Sequence, residues 1–562
     1  MKELSFLSIG AGSRGNAYAR AISTSTPARI AAVAEPDPYK RRIFGEKYIW
    51  GEHNSPNPSQ EFESWTEWID YETKRRSEPD SESKSESGVD GILICTLDET
   101  HITILTALSS SNLLDLHVLC EKPLALSLSD CLSVYSTRKH SNTIFSIGHV
   151  LRYSPHNLLL RRLVREQKVI GDIVSVEHTE PVGFWHFAHS YVRGNWRRET
   201  ESGDGSLLTK SCHDVDFLLW LIEAPCYTNF TTTDTTSING SGTAEYATTT
   251  TIDDDESTKP SLKLRSIFST GHLTQFTPHR KPPAAGSATN CTSCPIEREC
   301  IYSAIRIYRD NHLYQGKTGW PLKIVCPDIE DYADPKAAED YLLSTLKEDY
   351  DVEEGEGAKG NTLTAEEIAD RTWYGRCVWE SDNDVCDDQV VVLSWDTIPP
   401  PPFNSNSNPN PATQRRKAQA NKSPPGITAT LHMIAPTESQ CTRRGRIYGT
   451  SGEITYNSSQ ITIYTFSTKQ TRIIDVPKQS PEEEEAHGGG DYGLARGFVG
   501  AVDAVVNKGW GVERAQREFV GCDLEEVVRS HGVVFAAEES RRGEGVVKWE
   551  GWWRGMLGTA GI

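Results

Sequence analysis

The sequence predicts an α/β protein of two domains, the first with a parallel sheet and the second with an open, mainly antiparallel mixed sheet. Three observations lead to this prediction. Up to residue 150, short apolar segments alternate with helical stretches, as in parallel sheets covered on both faces. From residue 151 onward, strand-like segments predominate. The 562 residues also exceed the length of one compact domain, so we expect domains over 1–150 and 151–562.

The first domain is predicted to alternate strands and helices in βαβ units. Its predicted strands are LSFLSIG, ARIAAVAEP, GVDGILICTL, LDLHVLCEKP and NTIFSIGH. Its predicted helices are GNAYARAIS, HITILTALSSS and SLSDCLSVYSTRK. A charged, low-complexity segment at about 73–87 interrupts this pattern and is expected to be an insertion.

The second domain is predicted to be richer in strands. The strand-like segments are DIVSVEHTE, DDQVVVLSW, GITATLHMI, GRIYGTSGEITY and QITIYTF. The helical segments are LLTKSCHDVDFLLWLI, YGLARGFVGAVDAVVN and LEEVVRSHGVVFAAEES. Three polar segments at about 231–259, 328–360 and 399–425 have the composition of linker or disordered insertions.

The composition argues against several classes of partner. A formal net charge of −20 without a basic stripe argues against nucleic acid, and no segment approaches the roughly 18 apolar residues of a membrane span. The chain starts without the pattern of a leader peptide, and its 13 cysteines, an odd number, are typical of a reducing compartment. We therefore expect a cytoplasmic protein that acts on a small molecule.

A glycine-rich turn follows the first predicted strand. In IGAGSRGNAYARAI, Gly10, Gly12 and Gly15 have G-x-G-x-x-G spacing between a strand and a helix. Glycines there allow a tight turn and a close approach of the backbone to a pyrophosphate, which the helix N-terminus then binds. The pattern predicts a Rossmann dinucleotide-binding domain, with Ser13 and Arg14 also beside the cofactor.

An acidic residue stands where the adenosine ribose of a dinucleotide is expected. Glu35 ends the segment IAAVAE, roughly 20 residues beyond the glycines. Its carboxylate would bind the ribose hydroxyls and repel a 2′-phosphate, which favours NAD over NADP. Arg14, Arg41 and Arg42 leave NADP as an alternative. A plain strand–turn–helix with a solvated glutamate is the structural alternative to both.

The segment LCEKPLAL ends a later strand of the same predicted sheet and places Lys122 at its carboxyl end. Ligands of such sheets bind outside the carboxyl ends of the strands, so we expect Lys122 to point into the crevice that holds the nicotinamide. The alternative is a surface loop in which Glu121 and Lys122 face water.

Together, GAGSRG, AEPDP, ETHITI and EKPLAL resemble the Gfo/Idh/MocA family of NAD(P)-dependent oxidoreductases. IGHVLRYSP, SCHDVDFLLWL and IYGTSGEI extend the resemblance into the second domain. It implies oxidation of a hydroxyl group of a sugar or cyclitol, or the reverse reduction, and a homo-oligomer through the C-terminal sheet. The residues implied to contact the cofactor are Gly10, Gly12, Ser13, Arg14, Gly15, Glu35, Thr96, His101, Glu121 and Lys122.

The family motif also implies a catalytic histidine, with an aspartate four residues before it on the same helix face. In GDGSLLTKSCHDVD this histidine is His213, but Thr209 replaces the aspartate. An imidazole titrates near neutrality and suits a general acid/base, while Lys122 would stabilise a developing alkoxide. Lys210, Asp214 or Asp216 could alter the local charge. The alternative for His213 is a packed or capping residue.

Further candidates for substrate contact lie in FWHFAHSYVRGNWRR, expected to be a loop after a strand. Aromatic faces interleaved with donors suit a polyhydroxylated or anionic ligand, although an interface or lid is equally compatible. The residues expected to contact the substrate are Arg152, Tyr153, Trp185, Arg193, Trp196, Lys210 and His213. Weaker candidates are His186, His189, Arg197, His487 and Asp491.

The segment CTSCPIEREC contains Cys291, Cys294 and Cys300. A C-x-x-C pair begins many zinc sites, but structural zinc needs four ligands. The fourth would come from a distant residue, and the candidates are Cys326, His272 and His279. Because hydride transfer needs no metal, we expect no metal here, with a zinc site as the alternative.

The sequence as a whole predicts an NAD(P)-dependent oxidoreductase acting on a sugar or cyclitol, with Lys122 polarising the reacting oxygen and His213 as general acid/base. Two alternatives remain. One is a non-catalytic, nucleotide-binding regulator with the same fold, which Thr209 favours. The other is a redox-neutral enzyme that uses tightly bound NAD during elimination or glycoside cleavage.

Overall fold

The computed structural model describes residues 1–77, 88–200, 205–223, 261–347, 372–398 and 426–562. Two of the expected insertions, at about 231–259 and 399–425, lie outside the described residues, as do residues 78–87 and 348–360 of the other two. Residues 335–347 form a helix that buries Ala338, Leu342 and Leu346. This part of the expected linker is therefore a folded element, because apolar residues at a spacing of four find a core to pack against.

The first sheet has six strands in the order β3-β2-β1-β4-β5-β6, and its pairs are parallel. The strands are β1 (Ser5–Ile9), β2 (Arg29–Ala34), β3 (Glu61–Phe62), β4 (Gly91–Ile94), β5 (His117–Cys120) and β6 (Phe145–Ile147). The helices are α1 (Ser13–Ser25), α2 (Pro38–Tyr48), α3 (Trp65–Ser77), α4 (His101–Ser110) and α5 (Leu128–Arg138). The predicted elements are confirmed, and β3, α2 and α3 are additional. Because the chain order reverses beside β1, a crevice opens at the carboxyl ends of β1 and β4.

The second sheet has nine strands in the order β14-β13-β12-β11-β7-β10-β9-β8-β15. They are β7 (Ile173–Pro181), β8 (Ser261–His272), β9 (Asp388–Ile398), β10 (Gly426–Ile434), β11 (Arg444–Gly449), β12 (Gly452–Asn457), β13 (Gln460–Thr465), β14 (Gln470–Asp475) and β15 (Val547–Lys548). Only the β7–β10 pair is parallel among these described strands. This confirms the open, mainly antiparallel mixed sheet.

The helices that follow the first domain are α6 (Pro155–Arg161), α7 (Phe184–Phe187), α8 (Gly205–Thr209), α9 (Cys212–Ile222), α10 (Leu322–Val325), α11 (Pro335–Lys347), α12 (Pro481–Glu485), α13 (Gly490–Val506), α14 (Val512–Ala515), α15 (Leu524–Gly543) and α16 (Trp549–Thr559). The helix predicted over LLTKSCHDVDFLLWLI is interrupted at Lys210 and Ser211, which separate α8 from α9. In the described part of the chain, no helix is long and apolar enough to cross a membrane.

The chain returns to the first domain after completing the second sheet. Helix α13 packs on α1, and its Leu494, Phe498 and Val502 belong to the core of the first sheet. The rings of Phe6 on β1 and Phe498 lie 5.5 Å apart. Helix α15 packs against α9 and β8 and also against α5, and its Val527 and Val528 belong to the core of the first sheet. The two sheets are thus joined by buried apolar contacts that both helices make.

Candidate active site

The glycine-rich turn between β1 and α1 has three glycines with three different environments. Gly10 has a φ of +97°, and a Cβ there would lie 2.5 Å from the carbonyl oxygen of Cys95. A Cβ on Gly15 would lie 2.2 Å from the carbonyl oxygen of Gly10. A Cβ on Gly12 would meet no atom within 4 Å. Gly10 and Gly15 are therefore required by the fold, whereas Gly12 borders open space at the N-terminus of α1, and the turn fits a dinucleotide phosphate.

Glu35 lies at the end of β2 and is almost fully buried. Its carboxylate accepts hydrogen bonds from the backbone N–H groups of Ala11 (2.8 Å) and Asp37 (3.1 Å). Each oxygen keeps acceptor capacity for a ligand hydroxyl. The nearby Arg41 donates to the carbonyl oxygen of Glu35 and pairs with Glu61 at 2.9 Å. Its charge is therefore already balanced beside the proposed ribose position.

Arg14 lies at the junction of the two domains. Its Nε is 2.8 Å from Glu121, and its Nη2 is 2.7 Å from Asp491 at the start of α13. Burial alone would raise the pKa of Glu121, but the charge of Arg14 and a hydrogen bond from Tyr18 outweigh it and lower that pKa. His487 joins the cluster at 3.1 Å from Asp491. Arg14 and Glu121 are thus held in an ion-pair cluster that connects α1, β5 and α13.

Lys122 follows β5 and precedes a cis peptide bond to Pro123. His101 lies beneath this turn, with Nδ1 2.7 Å from the carbonyl oxygen of Pro123 and Nε2 3.3 Å from that of Thr96. The ammonium group of Lys122 donates to the backbone carbonyl of Thr209 at 2.7 Å. Lys122 therefore reaches from the first domain to the end of α8, four residues before His213.

His213 lies at the start of α9 and is buried. Arg443 Nη2 lies 2.8 Å from its Nε2. Because a guanidinium only donates, Nε2 must accept, which assigns the proton to Nδ1. Nδ1 has no hydrogen-bond partner among the described residues. Burial and the charge of Arg443 hold the pKa of His213 well below its ordinary value, so the ring is neutral and has an unused donor.

Two carboxylates balance the cations of this region. Arg443 pairs with Asp214 (2.8 Å) and Glu180 (2.9 Å), and Lys210 pairs with Glu180 (3.3 Å). Asp214 also bonds to His178 at 2.9 Å, and although burial would raise its pKa, Arg443 and His178 lower it. We call the residues Glu180, Lys210, His213, Asp214 and Arg443 the polar layer. It contains two cations, two anions and a neutral histidine.

Cys441 lies next to the polar layer in a left-handed conformation, with a φ of +54°. Its Sγ is 3.0 Å from Lys210 Nζ and 3.4 Å from His186 Nδ1. Burial raises the pKa of Cys441, and burial together with Lys210 lowers that of His186 well below its usual value. Both groups are therefore neutral near pH 7.

The expected loop FWHFAHSYVRGNWRR is mostly helical, formed by α7 and a π-helix over Ala188–Arg193. Its side chains pack against other aromatic rings of the second domain and do not form an exposed loop. The rings of Trp185 and His186 lie 5.4 and 4.8 Å from Trp320, which is 38% exposed. Trp196 donates to Asp98 beside the end of β4 at 2.8 Å. We call Trp185, His186 and Trp320 the aromatic wall; it continues into the polar layer through Cys441.

Five of the expected residues occupy structural positions. Arg152 forms a bidentate ion pair with Asp216, at 2.7 Å for both contacts, and Tyr153 donates to the carbonyl oxygen of Val520. Arg193 donates to the carbonyl oxygens of Arg376 and Tyr302.

Arg197 pairs with Asp382, and His189 bonds to the hydroxyl of Tyr308. These buried polar groups hold loops of the second domain together. No local pattern in the sequence indicates that their partners lie so far along the chain.

Several residues of the site had no sequence signal of their own. Arg443 lies 230 positions from His213 and just before the segment GRIYGTSGEITY. Glu180 ends β7, and Trp320 belongs to a segment between the sheet strands β8 and β9. Arg443 lies just before IYGTSGEI, a segment that resembles the second domain of the family. This position is the sequence feature that could have indicated Arg443 as a site residue. Only folding brings these residues to the crevice.

The comparisons with known proteins agree with this architecture. A family model described as "Oxidoreductase family, NAD-binding Rossmann fold" matches residues 4–149. Its companion, "Oxidoreductase family, C-terminal alpha/beta domain", matches residues 163–275.

The chain is similar to two curated proteins over part of its length. It is 33% identical over 106 residues to 2,7-anhydro-N-acetylneuraminate hydratase of Escherichia coli (strain K12), covering 19% of this chain and 27% of that protein. It is 28% identical over 136 residues to 1,5-anhydro-D-fructose reductase of Ensifer adhaerens, covering 24% and 38%. The matches thus span about a quarter to two fifths of these relatives.

Two solved structures are similar over nearly the whole chain. Levoglucosan dehydrogenase in complex with NADH and levoglucosan is 13% identical, with a TM-score of 0.53 and coverage of 98% of this chain and 100% of that one. An oxidoreductase from Agrobacterium radiobacter in complex with NAD+, L-tartaric acid and magnesium is 12% identical, with a TM-score of 0.51 and coverage of 97% and 98%. These likenesses concern the fold. With both family domains present in order, the chain belongs to the Gfo/Idh/MocA oxidoreductase family and has an NAD-binding Rossmann domain followed by the family's C-terminal α/β domain.

Proposed function

We propose that this protein is an NAD-dependent oxidoreductase that transfers a hydride between the nicotinamide and a hydroxyl or carbonyl carbon of a sugar or cyclitol. The observation that carries the proposal is the bond from Lys122 to the carbonyl of Thr209, four residues before His213. It brings an ammonium group and a neutral imidazole from two domains to the same end of the crevice. The sugar-acting enzymes among the similar proteins favour the same substrate class.

The first domain would hold NAD through the turn at Gly10–Gly15 and the carboxylate of Glu35, with Thr96 and Lys122 at the next strand ends. Bound NAD supplies a hydride acceptor, and its reduced form a hydride donor. The preference for NAD follows from charge. Glu35 faces the ribose position, Arg14 is paired with Glu121 and Asp491, and Arg41 is paired with Glu61. A 2′-phosphate would therefore lie against the carboxylate of Glu35, and the guanidinium groups of Arg14 and Arg41 would both already be paired with carboxylates.

Lys122 is the residue we assign to the reacting oxygen. Its present acceptor is a backbone carbonyl, which a substrate oxygen can replace at little electrostatic cost. When the carbonyl is reduced, the ammonium group of Lys122 gives its proton to the oxygen as hydride reaches carbon. In the oxidation direction the neutral amine of Lys122 takes up the hydroxyl proton as hydride leaves carbon, and the ammonium group so formed stabilises the oxygen. The role is thus both electrostatic and acid/base.

His213 has a narrower role than a free imidazole would have. Its Nε2 is occupied by Arg443, so the buried Nδ1–H is the group left to donate a hydrogen bond to a substrate oxygen. A neutral imidazole that donates stabilises an oxyanion without removing a proton. For His213 to act as the general base, Arg443 would first have to release Nε2. We therefore assign the proton transfer to Lys122 and the orientation of the oxygen to His213.

A redox-neutral reaction is the second candidate function. Thr209 stands where the family motif has a carboxylate, so His213 has no carboxylate in that position. One similar protein is a hydratase. In such a reaction the hydride that leaves the substrate returns to it, so no reduced nicotinamide accumulates.

The test combines cofactor binding with turnover. We would titrate the purified chain with NAD and NADP by tryptophan fluorescence, then follow reduced nicotinamide and products against aldoses, uronates and inositols. Lys122→Ala should bind NAD but lose most of the turnover, while Lys168→Ala, a change at an exposed lysine, should behave as wild type. Products without reduced nicotinamide would favour the redox-neutral candidate, and NAD binding without products would favour a regulator. Failure to bind either nucleotide would refute the proposal.

A further inference from the structure

A cavity of about 20 Å³ lies in the second domain, away from the crevice, and four of its lining residues are cysteines. They are Cys291, Cys294, Cys300 and Cys377. Cys291 and Cys377 are buried, and Cys294 and Cys300 are half-buried. Among the 13 cysteines of the chain, four lining one cavity is a concentration that packing alone does not require.

Two separate parts of the chain form this cavity. A bridge between Asn290 and Arg376 places them side by side. On either side of it, Cys291 N–H donates to Gly375 (2.9 Å) and Cys377 N–H donates to Thr289 (2.7 Å). Cys291 and Cys377 are thus held on adjacent antiparallel segments, although 86 positions separate them in the sequence.

Two donors approach the sulfur of Cys291. The N–H of Ala304 and the Nη2 of Arg193 lie 3.4 and 3.5 Å from Cys291 Sγ. Donors directed at sulfur, one of them a guanidinium group, stabilise negative charge on it.

Arg193 supplies an independent sign of a missing acceptor. Its side chain is 1% exposed and lines the cavity. Its Nη1 has no hydrogen-bond partner among the described residues. A buried guanidinium with an unused donor is costly unless negative charge lies nearby. Four thiolates around a divalent cation carry a net negative charge that would meet this need.

We propose that Cys291, Cys294, Cys300 and Cys377 bind one zinc ion. Four thiolates in a tetrahedron are a common structural zinc site, closed to substrate. The cavity is only slightly larger than the ~10–15 Å³ needed for one water molecule, so it suits a single ion and not an iron–sulfur cluster. Of the described residues, no three His, Cys, Asp or Glu side chains already surround a metal position. Binding therefore requires the thiols to rotate inward as they lose their protons to solvent.

The proposed ligands differ in one position from the set that the sequence suggests. Cys377 completes the set, and the earlier candidates Cys326, His272 and His279 do not line the cavity. The ion would add a covalent link between residues 290–302 and residues 376–379, which already meet through the Asn290–Arg376 bridge and the packed rings of Tyr302 and Trp379. Because Arg193 ends the π-helix beyond the aromatic wall, the site would also brace that wall.

The experiment measures metal content of the purified full-length chain by elemental analysis, followed by chelation and titration with Co²⁺. We expect one zinc per chain, and Co²⁺ should give the intense absorption bands of a tetrahedral tetrathiolate. Cys294→Ser and Cys300→Ser, changes at half-buried positions, should lower the zinc content, whereas Cys131→Ser, a buried cysteine in the first domain, should retain it. The Co²⁺ spectrum of the wild-type chain keeps the test valid if a variant fails to fold.

Three outcomes would overturn the proposal. One is a wild-type chain that neither contains zinc nor gives tetrathiolate bands with Co²⁺. Another is equal zinc in wild type and in both cysteine variants. The third is iron with acid-labile sulfide in place of zinc. None of these outcomes depends on oxidoreductase activity, so the zinc site and the proposed function fail independently.

Discussion

The glycine-rich turn permits a prediction that separates folding from cofactor binding. Gly15→Ala places a methyl group 2.2 Å from the carbonyl oxygen of Gly10, so α1 and the turn must move apart by about 1 Å to restore ordinary contact. Overpacking of this kind costs roughly 1–3 kcal/mol. Gly12→Ala meets no atom within 4 Å, and its φ of −73° suits any residue. We expect that variant to change the free energy of unfolding by less than about 1 kcal/mol.

NAD binding, in contrast to folding, should be strongly impaired in Gly12→Ala. Its methyl group occupies the open space next to the N-terminus of α1, where a pyrophosphate would approach the backbone. Loss of one or two charge-assisted hydrogen bonds, each worth roughly 1.5–3 kcal/mol, corresponds to a Kd for NAD that rises by about ten- to a hundredfold or more.

The assay is a denaturant titration of each variant together with an NAD titration by tryptophan fluorescence. Gly12→Ala should be as stable as wild type and bind NAD weakly, and Gly15→Ala should be destabilised before any ligand is added. Wild-type NAD affinity in Gly12→Ala would refute the placement of the pyrophosphate. A stable Gly15→Ala would refute the packing argument.

Three further predictions concern the charged and aromatic residues of the crevice. Arg443→Met removes the cation beside His213 and leaves Asp214 3.5 Å away, so the pKa of His213 should rise and a new limb should enter the pH profile of kcat/KM between about pH 5 and 8. Asp491→Asn breaks the buried pair with Arg14 and should destabilise the chain by roughly 3–5 kcal/mol at neutral pH in denaturant titrations. Trp320→Ala removes part of the aromatic wall and should weaken substrate binding by about 1 kcal/mol. KM should then rise about fivefold, while the affinity for NAD stays unchanged.

The pH dependence of the Asp491 effect has a definite sign. The pKa of Asp491 is lowered in the folded chain because Arg14 and His487 outweigh burial, which alone would raise it. Its contribution to stability is therefore complete above the unfolded carboxyl pKa of about 3.9 and is lost as the pH falls below that value. The stability gap between wild type and Asp491→Asn should narrow on acidification below about pH 4. A gap that stays constant down to pH 2 would contradict the ion pair.

Controls exist for the other two variants. Trp552→Ala removes a tryptophan of α16 whose indole binds Glu539, away from the crevice, and it should leave KM unchanged. A histidine signal of His213 that titrates near its ordinary value in the wild-type chain, measured by NMR, would contradict the role assigned to Arg443.

Most of the fold could be predicted because its signals are local. The alternation of short apolar strands and helices between residues 4 and 150 specifies the parallel sheet, and the glycines specify its first turn. β3 and β15 were missed because two residues carry no periodicity. β8 was missed although it is 12 residues long, since Lys263, Arg265 and Ser266 interrupt its apolar pattern.

The candidate site was less predictable, because its electrostatics depend on residues far apart in the chain. The sequence indicated that Lys210 or Asp214 could alter the charge around His213. Asp214 lies 3.5 Å from Nε2, and the charge of Lys210 helps to lower the pKa of His213. The sequence offered no reason to join His213 to Arg443, 230 positions later. That one contact changes the histidine from a candidate base into a neutral donor. The tautomer of a buried histidine is a property of its tertiary partners and not of its motif.

The charge balance of the polar layer leads to a last prediction, about the charge of the substrate. Lys210 and Arg443 are fully offset by Glu180 and Asp214, so neither cation is available to an anionic ligand without separating a buried pair. Separating such a pair costs roughly 3–5 kcal/mol, more than a solvated carboxylate would regain by entering.

Lys122 is then the cation left for the substrate, and the reacting oxygen requires it. We therefore expect neutral sugars or cyclitols to be turned over with a higher kcat/KM than uronates of the same ring configuration. The comparison needs matched pairs such as an aldose and its uronate, assayed at one ionic strength. A preference for the uronate that persists in high salt would show that Lys210 or Arg443 exchanges its partner for the substrate, and the paired polar layer would no longer describe the bound state.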